Sequence, residues 1–335
     1  MTTIVSYNIL AGGYNVRENG APRTQQLLSI IRSAKPDIVG LIEATHPSAK
    51  QKPSVVEELA EALDMRLIPG GTPRHADDYQ TALLTRLPVI DTRLHNTSGL
   101  NRAMLEVQVQ EADGQQLSVF VTHLSAAFNR GRAGGGIRRR EVEEILRTMA
   151  PARAKGVPHV LMGDFNSLAP GDHFRASSLV GYVLDMDRAR RDASLEDGHP
   201  ELETIVPPAL RFLHPILRVI PRNRLISTLF NSAAGLYAPR SSIRLLQEAG
   251  YIDSYRRIHP QALGFTCPAA APAGRIDFIF ASPQMAERLE TCYVLLDGEG
   301  VQGNAASDHL AITAELGSRI PTAEQPEVHA HTVAI

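Results

Sequence analysis

The chain has 335 residues, of which 43% are hydrophobic and 21% charged, so it can form one large domain or two average ones around an ample core. A net charge of −2 and the absence of tryptophan argue against strong non-specific binding to nucleic acid through a basic, aromatic-rich surface. Cys267 and Cys292 are too few for a disulfide framework. The sequence shows no signal peptide and no bilayer-spanning run, so we expect a cytoplasmic protein without a transmembrane segment.

Apolar runs and helical spacings alternate along the chain and predict a fold that mixes strands with helices. The predicted strands lie at residues 3–10, 37–43, 80–85, 104–110, 117–124, 157–165, 275–280 and 311–316. The predicted helices lie at residues 24–34, 53–63, 137–149 and 242–250. Asp113-Gly114 is typical of a hairpin turn. These elements predict an α/β sandwich with two sheets inside and helices outside.

Polar side chains stand at the ends of several predicted strands. Asn8, Glu43 and His123 each follow an apolar run. Asp164 and Asn166 come two positions apart after Gly163, and in an extended chain their side chains would point the same way. A turn in which both side chains cap the backbone is the alternative.

Two further polar groups occur near the C-terminus. Asp277 lies inside the apolar run at 275–280, and Asp308-His309 precedes the last predicted strand. Each has an ordinary structural interpretation as well; Asp277, for example, could pair with Arg275. A lone histidine is also more often a satisfied, partly buried side chain than a catalytic one.

The complete set of segments resembles the endonuclease/exonuclease/phosphatase superfamily, which includes exonuclease III, pancreatic deoxyribonuclease, neutral sphingomyelinases and inositol polyphosphate phosphatases. The matching segments occur in the family's order at residues 6–8, 36–43, 122–124, 163–166, 275–280 and 307–309. The resemblance implies a four-layer α/β/β/α sandwich with two mixed β-sheets. We expect one catalytic domain over residues 1–316, followed by a loose C-terminal tail at 317–335.

The resemblance also implies roles for the polar residues. The metal ligands would be Asn8, Glu43 and Asp308, which suit Mg²⁺, with Mn²⁺ as the alternative ion. The catalytic residues would be His123, Asp164, Asn166, Asp277 and His309. Among these, Asp164 would orient or deprotonate water, and Asp277 would fix the tautomer of His309. Arg102 matches a position that often supports the site.

The predicted reaction is metal-dependent phosphodiester hydrolysis on a small or lipid-linked phosphate. Thr122-His-Leu124 looks more like the phosphatase, sphingomyelinase and deoxyribonuclease branches than the abasic-site repair branch, which usually has tyrosine at the position of His123. A nuclease acting on DNA or RNA with the same residues is the alternative, and a non-enzymatic binding protein is the third. No protein partner is predicted.

An insertion at about 168–241 is the most individual feature of the chain. Residues 204–247 contain six arginines and neither aspartate nor glutamate. This composition predicts a lid or platform for an anionic substrate, with attachment to a lipid surface as a further interpretation. The alternative is an extra helical pair packed on the sandwich. The predicted substrate contacts are Arg211, Arg218, Arg222 and Arg224. A second basic cluster near a strand end, formed by Arg130, Arg132 and Arg138–Arg140, is interpreted as the solvated start of a helix, because glutamates follow it directly.

Overall fold

The computed structural model describes residues 1–15, 21–45, 54–71, 79–193, 206 and 217–318. Its strands are β1 (Thr2–Asn8), β2 (Tyr14–Asn15), β3 (Ala21–Pro22), β4 (Ile38–Ile42), β5 (Arg66–Pro69), β6 (Ala82–Thr85), β7 (Val89–His95), β8 (Met104–Gln110), β9 (Gln116–His123), β10 (His159–Asp164), β11 (Ile252–Asp253), β12 (Asp277–Ala281), β13 (Leu289–Val294), β14 (Asp297–Gly298), β15 (Val301–Gln302) and β16 (Ile312–Leu316). Its α-helices are α1 (Thr24–Ser33), α2 (Val55–Leu63), α3 (Arg132–Ala154), α4 (Ala176–Ala193), α5 (Arg224–Tyr237), α6 (Ser241–Glu248), α7 (Ser254–Ile258), α8 (Pro283–Ala286) and α9 (Gly303–Ala306). Among the described residues, no helix has the length and apolarity needed to cross a membrane.

Two six-stranded sheets form the centre of the fold. The first has the order β13-β16-β1-β4-β6-β5, and the second has the order β11-β12-β10-β9-β8-β7. Both are mixed, because β1 runs parallel to β4 and β9 runs parallel to β10, whereas their other neighbours are antiparallel. The predicted pair of mixed sheets is confirmed.

The period of two in the strands explains why the sheets lie between helices. Ile4 and Val160 point into the core between the sheets, whereas their neighbours Val5 and Leu161 point outward. Val5 belongs to a core cluster with α1 and α2, and Leu161 belongs to one with α3 and α6. Each fully buried aliphatic side chain contributes roughly 1.5–3 kcal/mol. The result is the predicted α/β/β/α sandwich.

Two predicted elements differ from the structure. Helix α3 begins at Arg132 rather than at residue 137 and includes the glycine run. Glycine is needed at position 134, because a Cβ there would lie 1.9 Å from the carbonyl oxygen of Ala127. Strand β6 is buried at every position instead of alternating, because helices cover one face of its sheet and the second sheet covers the other. The predicted and observed end residues of several strands differ slightly, because strand ends depend on hydrogen bonds, which the spacing of apolar residues does not reveal.

The insertion forms a small helical unit with its own core. Val183 of α4 packs with Leu217 and Ile220, and Phe230 of α5 lies against them. Ala271, from the loop before β12, joins the same cluster. Arg211 and the tail from residue 319 lie outside the described residues.

Candidate active site

The predicted polar residues meet at one rim of the two sheets. Asn8 ends β1, His123 ends β9 and Asp164 ends β10. In the second sheet, Asp164 is paired in register with His123 on one side and with Asp277 on the other. Parallel neighbours bring their carboxyl ends to the same edge, so the topology itself gathers these side chains.

Asp164 is the centre of the cluster. Its Oδ2 atom lies 3.1 Å from Asn8 Nδ2, 3.7 Å from His123 Nε2 and 3.8 Å from His309 Nε2. Burial, followed by the negative charge of Asp277, raises the pKa of Asp164 to about 7. A carboxyl group with a pKa near neutrality is suited to accept a proton from water.

The backbone leaves the strand in a tight turn directly after Asp164. Asn166 has φ 47°, in the left-handed region, and its N–H donates to Asp164 Oδ1 at 2.8 Å. Its Nδ2 donates to the carbonyl of Leu124 at 2.9 Å. The extended-chain prediction for this pair is therefore wrong, and the turn interpretation holds for one oxygen of Asp164. The other oxygen faces the cluster.

Gly163 allows Asp164 to reach this position. A Cβ at Gly163 would lie 1.9 Å from the carbonyl oxygen of Thr122 on the neighbouring strand, and the residue has φ 149°. Glycine is therefore required directly before Asp164.

Asp277 and His309 form a buried pair. Nδ1 of His309 lies 2.8 Å from Oδ2 of Asp277. Although burial acts in the opposite direction, Asp277 and other nearby acidic groups raise the pKa of His309 well above its ordinary value. Asp277 therefore holds the ring in one orientation and favours its imidazolium form. The alternative pairing of Asp277 with Arg275 is wrong.

Arg275 instead anchors the start of β12. Its side chain is fully buried and donates to both oxygens of Asp253, at 2.8 and 2.6 Å, and to Asp172 at 2.9 Å. The guanidinium also lies 4.4 Å from the ring centroid of Phe278. This network fixes the backbone two residues before Asp277.

His123 is the neutral histidine of the site. Burial, followed by the charges of Arg102 and His309, holds the pKa of His123 well below its ordinary value. Arg102 donates from Nη1 to the carbonyl of Leu124 at 3.2 Å, so the structure places it beside His123, at the rim predicted for it. The two histidines thus carry different charges near neutral pH.

The predicted metal ligand Glu43 lies in the same cluster, with its Oε1 atom 4.0 Å from Nε2 of His123. Glu43 follows β4 with φ 56°, and its Oε2 accepts from the N–H of Ala11 at 3.0 Å. Burial, followed by the charge of Asp308, raises the pKa of Glu43. A cation between these carboxylates would relieve their repulsion, and hard oxygen ligands suit Mg²⁺. The residues present therefore fit a divalent ion.

Asn8 fits the metal less directly than Glu43. Its amide oxygen accepts from the N–H of Leu10 at 3.0 Å, and its Nδ2 also donates to Glu43 at 3.3 Å. Asn8 therefore acts as a donor between two carboxylates in this structure, while its amide oxygen accepts from the backbone.

The described residues also contain a group of possible ligands formed by Asp164, Asp277 and His309, whose ligand atoms lie within 4.8 Å of one another. Nδ1 of His309 is bonded to Asp277, and its Nε2 lies 3.8 Å from Asp164 Oδ2, so Nε2 is the ring atom that it would offer to an ion or a phosphate.

Three buried residues near the site were given no role there by the sequence analysis. Arg23 donates to the carbonyls of Ile9, Leu10 and Ala306, next to the carboxylates of Glu43 and Asp308. Tyr7 is buried in the same region, and burial raises its pKa. Arg138 is 1% exposed and donates to Ser125 O and Ser167 Oγ, so the solvated interpretation is wrong for it and holds for the other arginines of that cluster, which are exposed. Its position in an arginine run gave no signal of burial.

The predicted substrate arginines lie in the insertion. Arg218, Arg222 and Arg224 are exposed. Within the described part of the chain, Arg218 and Arg222 line a cavity of about 270 Å³ together with Leu184 and Arg188. Arg211 is outside the described residues.

Comparisons with known proteins agree on the fold. The model of the Endonuclease/Exonuclease/phosphatase family matches residues 5–309. No curated protein sequence matches.

Solved structures with the same fold include an AP endonuclease from Archaeoglobus fulgidus, with a TM-score of 0.60 and 15% identity over 95% of this chain and 100% of that chain. The 3′ phosphatase NExo from Neisseria, bound to a product DNA hairpin, has a TM-score of 0.58 and 16% identity over 95% and 100% of the two chains. TDP2 from D. rerio, complexed with a single strand DNA product, has a TM-score of 0.56 and 17% identity over 95% and 99%.

Proposed function

The chain belongs to the endonuclease/exonuclease/phosphatase family and is a hydrolase of phosphate esters, and we propose that it cleaves phosphodiesters of small or lipid-linked substrates with Mg²⁺, or alternatively Mn²⁺. The observation that carries this proposal is the convergence on Asp164 of Asn8, His123 and His309, which come from three different segments of the chain. We further propose that residues 1–316 act as one catalytic domain. A cytoplasmic location stays a prediction.

In the proposed reaction, Asp164 accepts a proton from water as the new bond between oxygen and phosphorus forms. The bond from phosphorus to the leaving oxygen breaks, and that oxygen takes up a proton. His309, kept cationic beside Asp277, binds a phosphoryl oxygen or donates this proton. Neutral His123 can donate one N–H to a phosphoryl oxygen. Positioning and charge neutralisation are the main requirements of phosphoryl transfer.

Glu43 and Asp308 would hold the divalent ion, and Asn166 would keep its structural hydrogen bonds while facing the site. When bound, such an ion supplies neutralisation of the charge that develops on the phosphoryl oxygens. Glu43 supports this assignment, because burial and the nearby charge of Asp308 raise its pKa, and a bound cation would offset both effects.

The test is hydrolysis of bis-p-nitrophenyl phosphate and p-nitrophenyl phosphate, with Mg²⁺, with Mn²⁺ and with EDTA. We expect diester cleavage that EDTA abolishes and that either ion restores. Faster cleavage of the monoester would identify a phosphatase. No cleavage of either compound or of nucleic acid, by a folded protein with metal, would favour a binding protein.

A nuclease is the second candidate, because the NExo and TDP2 structures contain DNA products. Plasmid nicking under the same conditions separates the two. The net charge of −2 and the histidine at position 123 favour the smaller substrate.

A further inference from the structure

Helix α5 turns its large apolar side chains toward solvent. Leu225, Leu229 and Leu236 are 70%, 64% and 91% exposed. Their spacings of four and seven residues place them on one face of the helix. None of the helix's 14 residues is buried.

The opposite face attaches α5 to the rest of the insertion. Phe230 packs on the insertion core, and Asn231 Oδ1 accepts from the N–H of Ser177 at 2.8 Å. A surface helix of a globular protein usually turns its apolar stripe toward the core. Here leucines remain on the outside although the helix is already anchored, and contiguous exposed apolar patches of this kind mark interaction sites.

The surroundings of this face carry positive charge. Arg218, Arg222 and Arg224 lie at the N-terminal end of α5 and are exposed. Arg218 and Arg222 share the 270 Å³ cavity with Arg188. Residues 204–247 contain no acidic side chain, so nothing within this stretch neutralises these arginines. A row of guanidinium groups next to an apolar ridge matches the phosphates and acyl chains of an anionic phospholipid surface.

We propose that α5 lies in the interface of an anionic phospholipid bilayer. Its leucine face enters the boundary of the acyl chains, and Arg218, Arg222 and Arg224 contact headgroup phosphates. A second copy of the chain is a poorer occupant, because a symmetric contact through this face would bring two sets of exposed arginines together.

Two sets of contacts connect the insertion with the active site, one where the insertion begins and ends and one through the loop before β12. Ser242 Oγ donates to Ser167 Oγ at 2.7 Å, one residue after Asn166. On the other side, Ala271 packs in the insertion core, and the N–H of Ala269 donates to the carbonyl of Asp308 at 2.6 Å. Docking of α5 would therefore hold the catalytic rim near the lipid surface.

This inference deepens the proposed function and rests on it for the substrate class, a lipid-linked phosphodiester. Binding to the membrane, however, does not require catalysis. The Glu43→Gln variant can therefore be used to measure it without hydrolysis of the lipid.

The experiment is co-sedimentation of the full chain with vesicles of phosphatidylcholine, alone or mixed with phosphatidylserine. We expect binding to the mixed vesicles and much weaker binding to phosphatidylcholine. Combined Leu229→Gln and Leu236→Gln should weaken binding by at least about 30-fold, from the lost apolar burial. Arg218→Gln, Arg222→Gln and Arg224→Gln should each weaken it about fivefold.

Matched controls lie elsewhere on the surface. Leu296 is 65% exposed, and Arg66 is exposed in β5. Leu296→Gln and Arg66→Gln should leave vesicle binding unchanged. Melting temperatures of all variants should match the wild type, because none of these side chains is buried.

Three results would overturn the proposal: no binding to mixed vesicles, equal losses in the control variants, or a dimer that the leucine substitutions abolish. The proposed function fails separately, if wild-type protein binds vesicles but hydrolyses no phosphodiester. Conversely, cleavage of bis-p-nitrophenyl phosphate without vesicle binding would leave the function intact and refute the membrane surface.

Discussion

The pairing of Asp277 with His309 makes a quantitative prediction. Asp277→Asn keeps the shape of the side chain but removes a negative charge 2.8 Å from Nδ1 of a buried ring. A buried hydrogen bond to a charged group contributes about 1.5–3 kcal/mol. If the charge matters only in the transition state, kcat on bis-p-nitrophenyl phosphate should fall about 100-fold, since about 1.4 kcal/mol corresponds to a factor of ten. His309→Ala removes the ring itself and should cost about 1,000-fold or more.

The double variant is the decisive measurement. Because Asp277 acts through His309, its substitution should add little once the ring is gone, and the double variant should resemble His309→Ala alone. Asp297→Asn, in an exposed strand, is the matched control and should keep full activity. A double variant whose loss equals the product of the two single losses would show that the residues act independently, and the assignment of Asp277 as an orienting group would be wrong.

Three further predictions concern other parts of the molecule. Glu43→Gln should lower phosphodiesterase activity by at least about 100-fold without unfolding the chain, because a metal ligand loses its charge. The control Glu61→Gln, at an exposed position, should have no effect. Equal activities of Glu43→Gln and the wild type at saturating Mg²⁺ would remove Glu43 from the metal site. Arg275→Met should lower the free energy of unfolding in urea by about 3–5 kcal/mol, since buried Asp253 loses its ion-pair partner and buried Asp172 keeps only Arg256, and an unchanged midpoint would contradict this. Burial lowers the pKa of His159, whose neutral ring is hydrogen-bonded to Val157 O at 2.7 Å and to Tyr251 Oη at 2.9 Å. The stabilising contribution of this ring is therefore complete above the unfolded-state pKa of about 6.5 and is lost as the pH falls below that value. The drop in melting temperature from pH 7 to pH 5 should be smaller in His159→Phe than in the wild type, and equal drops would refute this linkage.

Sequence reasoning was effective where one element determined the outcome. Apolar runs located the central strands, and the residues that end them, Asn8, His123 and Asp164, do lie together at one rim. Period-two alternation could not show that β6 is covered on both faces, since that depends on which sheets stack.

Groups stabilised by distant parts of the chain were beyond such reasoning. Arg138 stands beside two exposed arginines and before acidic residues, a local pattern typical of solvent. Its burial depends on Ser125 and Ser167, which reach it only in the folded chain. Arg23 donates to carbonyl groups that include that of Ala306, which is distant in the sequence, so no spacing in the sequence could indicate its place beside the carboxylates.

The hydrogen bond between Ser167 and Ser242 makes the long segment between them tolerant of changes in length and sequence. Both ends of the segment are tied at one point, and Arg240 adds a second tie by donating to Ala169 O at 2.8 Å. Each doubling of such a loop costs only about 0.6 kcal/mol of closure entropy. Mutations can therefore change the length or the composition of the insertion while the catalytic rim keeps its geometry. The surface that the insertion presents can change at a different evolutionary rate from the residues of the catalytic rim.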